Sequence, residues 1–561
     1  MNHDSLKVPK RSATGPLPRP ITALASDLGL SPDDIELFGH QKAKIALGVL
    51  ERLSEKPDAK LVLVTAMTPT PAGEGKTTMT IGLADALKII GRQSVVCLRE
   101  PSMGPVFGVK GGAAGGGRAQ VVPMEDINLH FTGDMHAVSA AHNLLAAMVD
   151  SHMMQGNALG LDPRRIQFRR VMDMNDRALR TIVSGLGGMS NGWVRETGFD
   201  ITAASEVMAI LCLSADINDL KKRLGSILVG FAGNGTPVFA RDLHAQGAMA
   251  AILRDAIKPN LVQTAEGTPA LIHGGPFANL AHGCNSLLAT RLALKLGDVV
   301  LTEAGFATDL GAEKFFDIKC RIGGLNPQAV VIVATVRALK IHGGVAKADM
   351  LREHMAEMSR GFENLAKHIE NIKMFNLPFI VAINRFHGDT DREIEWLKKA
   401  VEEAGGVAAV STAFTDGGEG SLELARKVDE ILRGGANAFQ TLYPLEMPLA
   451  EKINVVARSC YGAAAVEILE PARKSLALFE QMGCGNLPVC MAKTQHSLSD
   501  DRGLLGRPRG FKVTVREARL SAGAGFVIAL AGEIMTMPGL PKQPVAEKID
   551  VDNAGRITGL F

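Results

Sequence analysis

The sequence predicts an α/β protein: a mostly parallel sheet of the phosphate-loop type covered by helices, with two smaller α/β units toward the C-terminus. Three observations carry this expectation. Short, uninterrupted apolar runs recur along the chain, at Leu61–Val64, Ser94–Leu98, Leu271–Ile272, Val299–Thr302, Ala329–Ala334 and Phe379–Ile383. Runs of that length without alternation are the mark of strands buried on both faces. Helical stretches separate them, and the first two strands bracket one such stretch, Thr78–Ile90. That is a βαβ unit, whose crossover is right-handed.

Taken in order, the chain opens on a basic, proline-rich lead, 1–20, without an apolar core. It is expected to be flexible and not a secretory signal. Ser31-Pro32-Asp33-Asp34 reads as a helix start, with Ser at the N-cap, Pro at N1 and acids in the first turn. The glycine patch Gly111-Gly112-Ala113-Ala114-Gly115-Gly116-Gly117 follows Arg99–Pro105 closely and reads as an active-site cover or subunit contact. Residues 124–222 read as helical, most clearly over Ala137–Met148, and the last part of the chain ends in the strand-like run Gly525–Leu530.

Bulk composition narrows the function classes. With 61 basic and 59 acidic residues among 561, the net charge is +2 and leaves no electrostatic footprint for nucleic acid or an anionic membrane. Two Trp and two Tyr argue against base-stacking platforms. Seven cysteines, an odd number, are expected as reduced thiols in a cytoplasmic setting. The longest apolar runs are of strand length, far short of a membrane span.

The chemistry-bearing motif lies between the first strand and the first helix. Thr70-Pro71-Ala72-Gly73-Glu74-Gly75-Lys76-Thr77-Thr78 matches GxxxxGK[ST] except that Thr70 stands at the first glycine. Backbone N–H groups and the helix N-terminus hold phosphate oxygens in such a loop, Lys76 neutralises their charge, and Thr77 can ligate Mg²⁺. ATP is the expected nucleotide. A guanine reading fails, because in Asn384-Arg385-Phe386-His387-Gly388-Asp389 the acid is displaced by two positions from NKxD. Arg99 ends the next strand, at the edge where doubly wound sheets bind ligands, and its guanidinium can hold a carboxylate or phosphate in a bidentate fork. The loop alone does not choose a reaction.

Further segments narrow the choice. Thr68–Thr78, Arg99–Pro105, Leu129–Ala137, Gly198–Thr202, His273–Asn279, Gly311–Asp317, Ala492–Ser497 and Met535–Pro541 resemble, in order and spacing, the formate–tetrahydrofolate ligase family. The resemblance spans about residues 21–561, and Thr70 is itself a marker of that family. It implies ATP-dependent formylation of tetrahydrofolate to 10-formyltetrahydrofolate through formyl phosphate. Lys76 would offset charge on the phosphoryl group in flight, Thr77 would hold Mg²⁺ and Arg99 would hold formate. Glu100 is the candidate for a monovalent cation (potassium or ammonium), while Phe386 and Phe414 would sandwich the pterin ring. A homotetramer is implied as well. The expected division is a nucleotide-binding region over 21–375 with a helical insertion near 124–222, a folate-wall unit over 376–455 and a C-terminal α/β unit over 456–561.

Two positions depart from the family pattern: Phe414 replaces a Trp, and Ala307 replaces a glycine in Gly305-Phe306-Ala307-Thr308-Asp309. The Trp change predicts weaker folate binding, and Ala307 puts a close backbone approach in question. His130, His136 and His142 recur every six residues and do not share a helix face, so they are not expected to bind metal. His282 with Cys284, and Cys484 with Cys490, likewise lack zinc-site spacing.

Overall fold

The computed structural model describes residues 18–71, 73–110, 112–435 and 438–560. Most of the lead, and Ala72 of the phosphate loop, therefore lie outside the described residues. A twelve-stranded sheet organises the chain. Its strands are β1 (Ile35–Leu37), β2 (Ala43–Ile45), β3 (Lys60–Ala66), β4 (Ser94–Leu98), β5 (Gly115–Gly116) and β6 (Ala119–Val122). They continue with β7 (Asn260–Thr264), β8 (Pro269–Ile272), β9 (Val299–Glu303), β10 (Ala329–Ala334), β11 (Phe379–Asn384) and β12 (Val407–Ser411). The order is β1-β2-β7-β8-β4-β9-β3-β10-β11-β12, with β6 on β7 and β5 on β6. From β8 to β12 all neighbours are parallel, and β1, β2, β6 and β7 add an antiparallel edge.

The apolar runs are continuous because each strand feeds two cores. Leu61, Leu63, Val95, Val300, Val330, Ile332, Val381 and Ile383 face one core. Their alternates Val62, Val64, Val96, Leu301, Val331, Val333, Ile380 and Ala382 face the other, as the two-residue period of a strand requires. Helix α1 (Lys76–Ile89) covers the second face with Leu83 and Leu87, while the later helix Met355–Met374 covers the first with Leu365, Ile369 and Ile372. Strands β11 and β12 extend this same sheet, so the start of the expected folate-wall segment is continuous with the nucleotide-binding strands. A separate four-stranded sheet follows, in the order Ala465–Ile468, Lys512–Ser521, Phe526–Ala531, Val489–Ala492, and a two-stranded ribbon of Asp550–Val551 and Ile557–Thr558 comes after it.

Two local expectations are corrected. The Ser31 N–H and hydroxyl both donate to Asp34 Oδ2 in a capping-box arrangement, but the pair closes only the single turn Pro32–Asp34 before the chain enters β1. The 124–222 region is helical only in part: Asp134–Met154 is a long helix, but short strands follow at Leu161–Ile166, Arg170–Met172, Ile182–Ser184, Arg195–Thr197 and Phe199–Ile201. Gly156 and Gly160, at φ 98° and 63°, turn the chain out of the helix. Helices resume at Glu206–Leu213 and Ile217–Gly225.

Candidate active site

The phosphate loop joins β3 to α1 at the C-terminal edge of the sheet. Gly73 and Gly75 both take φ 74°, a left-handed conformation that glycine adopts without strain. Gly75 is also closed in, since a methyl there would lie 2.6 Å from Asn384 Nδ2. No side chain caps α1, so its first N–H groups are left for a ligand. Thr70 has a definite task. Its N–H and hydroxyl donate to Glu74 Oε1 at 2.8 and 3.0 Å, while Thr335 at the end of β10 donates to the other oxygen. The loop is thus braced across its base by a buried carboxylate that three donors satisfy. Asn384, which no longer fits a guanine-specific motif, donates to the Glu74 carbonyl at 3.0 Å and pins the loop to β11.

Lys76 and Thr77 open the helix. The Thr77 hydroxyl donates to Glu303 Oε2 at 2.8 Å, and Glu303 ends β9, the strand beside β3. Two oxygen donors meeting at the loop are the donor set of a hard divalent cation, so Thr77 and Glu303 together fit Mg²⁺. Glu303 escaped the sequence reading. Its signal was an acid directly ending the apolar run Val299–Thr302, meaningful only once β9 is known to lie against β3.

Arg99 leaves the end of β4, half-buried. Nη1 donates to the Pro276 carbonyl at 3.2 Å, and Nε is buried without a partner. Among the described residues no ion pair joins it to Glu100. Gly305, after β9, lies against the guanidinium: a methyl there would come within 3.2 Å of Nη1. Its neighbour Phe306 is held at φ 63°, a sparsely populated conformation for an aromatic residue and one that clusters at functional sites. Ala307 is buried and extended, at φ −127° and ψ −177°, so alanine sits there without backbone strain. His282 is fully buried in the same region, with both ring nitrogens unpartnered. Its pKa is pushed down to about 3 by burial and by the charges of Lys319, Arg99 and Lys314. Buried polar groups ordinarily find partners, so this concentration of unpartnered ones around Arg99 fits a small polar ligand such as a carboxylate.

Glu100 is the next residue in the chain. It is buried, its Oε2 has no partner, and burial followed by the Asp134 charge pushes its pKa well above the usual carboxylate range, with Lys44 opposing. Asp134 is itself paired with Lys44 at 2.8 Å and bonded by Asn260. An unpartnered carboxylate oxygen in acidic surroundings fits a cation. No cluster of three or more His, Cys, Asp or Glu among the described residues is arranged to hold a metal ion. All seven cysteines are free thiols.

The aromatic candidates follow adjacent strands. Phe386 lies just past β11 and Phe414 just past β12, where Arg385 N–H donates to the Ser411 carbonyl. Phe386 carries the Arg337 guanidinium over its ring, 3.5 Å from the centroid. Phe414 is 45% exposed, so part of its ring is free to stack. The glycine patch explains itself here. A methyl on Gly116 would meet the Phe414 ring at 3.1 Å and Thr78 Oγ1 at 3.6 Å, and one on Gly117 would strike the Phe414 backbone. Bare backbone therefore threads between the phosphate-loop helix and the aromatic wall. Six adjacent strands, β4-β9-β3-β10-β11-β12, thus deliver Arg99, Glu303, the phosphate loop, Thr335, Phe386 and Phe414 to one edge.

Comparison with known proteins agrees with the resemblance in the motifs. The family model described as formate–tetrahydrofolate ligase matches residues 11–561. A protein of Symbiobacterium thermophilum named formate–tetrahydrofolate ligase is 59% identical over 543 residues, covering 97% of this chain and 98% of its own. The chain belongs to the formate–tetrahydrofolate ligase family.

Proposed function

We propose that the protein ligates formate to tetrahydrofolate, coupled to cleavage of ATP to ADP and phosphate, and yields 10-formyltetrahydrofolate. The observation that carries this reading is the single sheet edge on which a phosphate loop, an arginine among unpartnered polar groups and an exposed aromatic ring are adjacent.

Formate is a poor acyl donor because its oxygen is a poor leaving group. In the proposed course Arg99 orients formate so that one of its oxygens attacks the γ-phosphorus, and the bond to the ADP oxygen breaks. Lys76 and the N–H groups at the start of α1 neutralise the charge on the phosphoryl group in flight, so the loop contributes by positioning and electrostatics. The product is formyl phosphate, which Arg99 retains. The folate amine, held by Phe386 and Phe414 against its pterin ring, attacks the formyl carbon. Phosphate leaves with the former formate oxygen, and the amine loses its proton. Mg²⁺ held by Thr77 and Glu303 would supply charge neutralisation at the phosphates. Glu100 is the candidate for the monovalent cation, potassium or ammonium. A homotetramer acting in the cytoplasm completes the reading, and no helix among the described residues is long and apolar enough to cross a membrane.

Measuring ADP formation with formate, with tetrahydrofolate, with both and with neither tests the reading. Turnover that requires both substrates is expected. Turnover indifferent to folate would instead favour a nucleotide-dependent switch, and equal turnover with acetate a ligase for another carboxylate.

A further inference from the structure

The peptide at the root of the phosphate loop is gripped by two buried histidines. Thr68 leaves β3 two residues before Thr70. Its N–H and its hydroxyl both reach His368 Nε2, at 2.8 and 2.9 Å, and its carbonyl meets His342 Nε2 at 2.9 Å. A backbone N–H can only donate and a carbonyl only accept, so hydrogen bonding assigns both tautomers. His368 Nε2 is an acceptor, and its proton sits on Nδ1, pointed at Thr308 Oγ1 at 2.6 Å. His342 carries its proton on Nε2, and its Nδ1 accepts from Gly506 N–H at 3.2 Å. Asn364 and Asn371, on the same helix as His368, complete the net: Asn364 donates to Thr68 Oγ1 and to the Gly506 carbonyl, and Asn371 to Thr308 Oγ1 and the Cys460 carbonyl. His368, Thr308, Asn364 and Asn371 are all fully buried.

Thr308 is three residues beyond Gly305, the residue packed on the Arg99 guanidinium, and the strained Phe306 lies between them. One imidazole therefore spans the root of the nucleotide loop and the turn behind the carboxylate-binding arginine. We propose that His368 is a positioning residue that fixes these two parts of the site relative to each other, so that ATP and formate bind as a coupled pair. The inference rests on the proposed ligase reading, but nothing in that reading requires it.

The test is steady-state kinetics of the full-length protein and of His368→Leu, His368→Gln and Thr308→Val, with KM for ATP and for formate determined separately alongside kcat and melting temperature. His368→Leu removes the hydrogen bonds to Thr68 and to Thr308 and should raise both KM values about 10-fold, the scale of a lost buried hydrogen bond or two. His368→Gln keeps an acceptor and a donor and should return both to within about 3-fold of the parent. Thr308→Val removes the hydroxyl that meets both His368 and Asn371, so it cuts the link to the Arg99 turn while keeping the His368 contacts to Thr68, and should raise KM for formate while leaving KM for ATP in place; this arm stands even if His368→Leu fails to fold. Unchanged KM values with a lower melting temperature would make His368 merely structural and overturn the proposal. So would a rise confined to ATP, or a Gln variant no better than Leu. A parent protein that does not respond to formate would instead overturn the ligase reading.

Discussion

Replacing Glu303 by Gln isolates the acid that ends β9. The isosteric amide keeps a partner for the Thr77 hydroxyl, now 2.8 Å from a carboxylate oxygen, and removes only the charge. A hydrogen bond to an ionised group contributes about 1.5–3 kcal/mol and one to a neutral group about 1 kcal/mol, so orientation of Thr77 alone accounts for roughly 1–2 kcal/mol. Loss of a carboxylate that holds or orients a metal ligand costs about 10–100-fold in metal affinity or activity. The expectation is that the Mg²⁺ concentration for half-maximal ADP formation rises about 10–100-fold, with KM for folate unchanged because Phe386 and Phe414 stand on other strands. Initial rates would be followed by coupled detection of ADP at fixed ATP across a titration of free Mg²⁺. Glu303→Gln with the parent's Mg²⁺ curve and kcat would refute the assignment and leave Glu303 as a packing partner of Thr77.

Three further outcomes are expected. Lys76→Ala should abolish ADP formation at the first step, whereas Phe386→Ala should mainly raise KM for folate; equal loss of the first step in both would contradict the division of labour. Phe414→Trp should lower KM for folate several-fold, since the larger ring adds about 1 kcal/mol of apolar contact on the side away from Gly116, and an unchanged KM counts against stacking there. Asp85, buried in α1, accepts hydroxyl bonds from Thr264 and Thr268, and burial pushes its pKa up to about 7. A raised carboxyl favours the folded state while it is neutral, and that contribution is lost as pH rises through about 7. The melting temperature of Asp85→Asn should therefore gain on that of the parent between pH 5 and pH 8. At about 1.4 kcal/mol per unit of displaced pKa, the gap reaches a few kcal/mol at most; a gap that shrinks with pH would be the wrong sign.

Much of this arrangement could be read in the chain itself. The parallel strands were legible because both of their faces are buried, which leaves unbroken apolar runs. The phosphate loop was legible because its glycines and Lys76-Thr77 are contiguous. What failed to show was partnership across the sheet. Glu303, Thr335 and Asn384 act on the loop from three other strands, and only the order β9-β3-β10-β11 brings them there. The orphaned imidazole of His282 looked like any isolated histidine, since burial and lack of partners are invisible in one dimension. Local signals also misled. The Ser31 cap was real but closed one turn, and residues 161–201 pair as short ribbons that no long period announces. The left-handed backbone of Phe306 was equally silent, because a positive φ at an aromatic residue leaves no mark in the sequence.

The central claim is that formate is phosphorylated before it meets folate, and the fate of its oxygen tests that most directly. With formate labelled with ¹⁸O, ATP and tetrahydrofolate, the inorganic phosphate released should carry one labelled oxygen per turnover, read by mass spectrometry. Phosphate free of label, with 10-formyltetrahydrofolate still formed, would contradict the account.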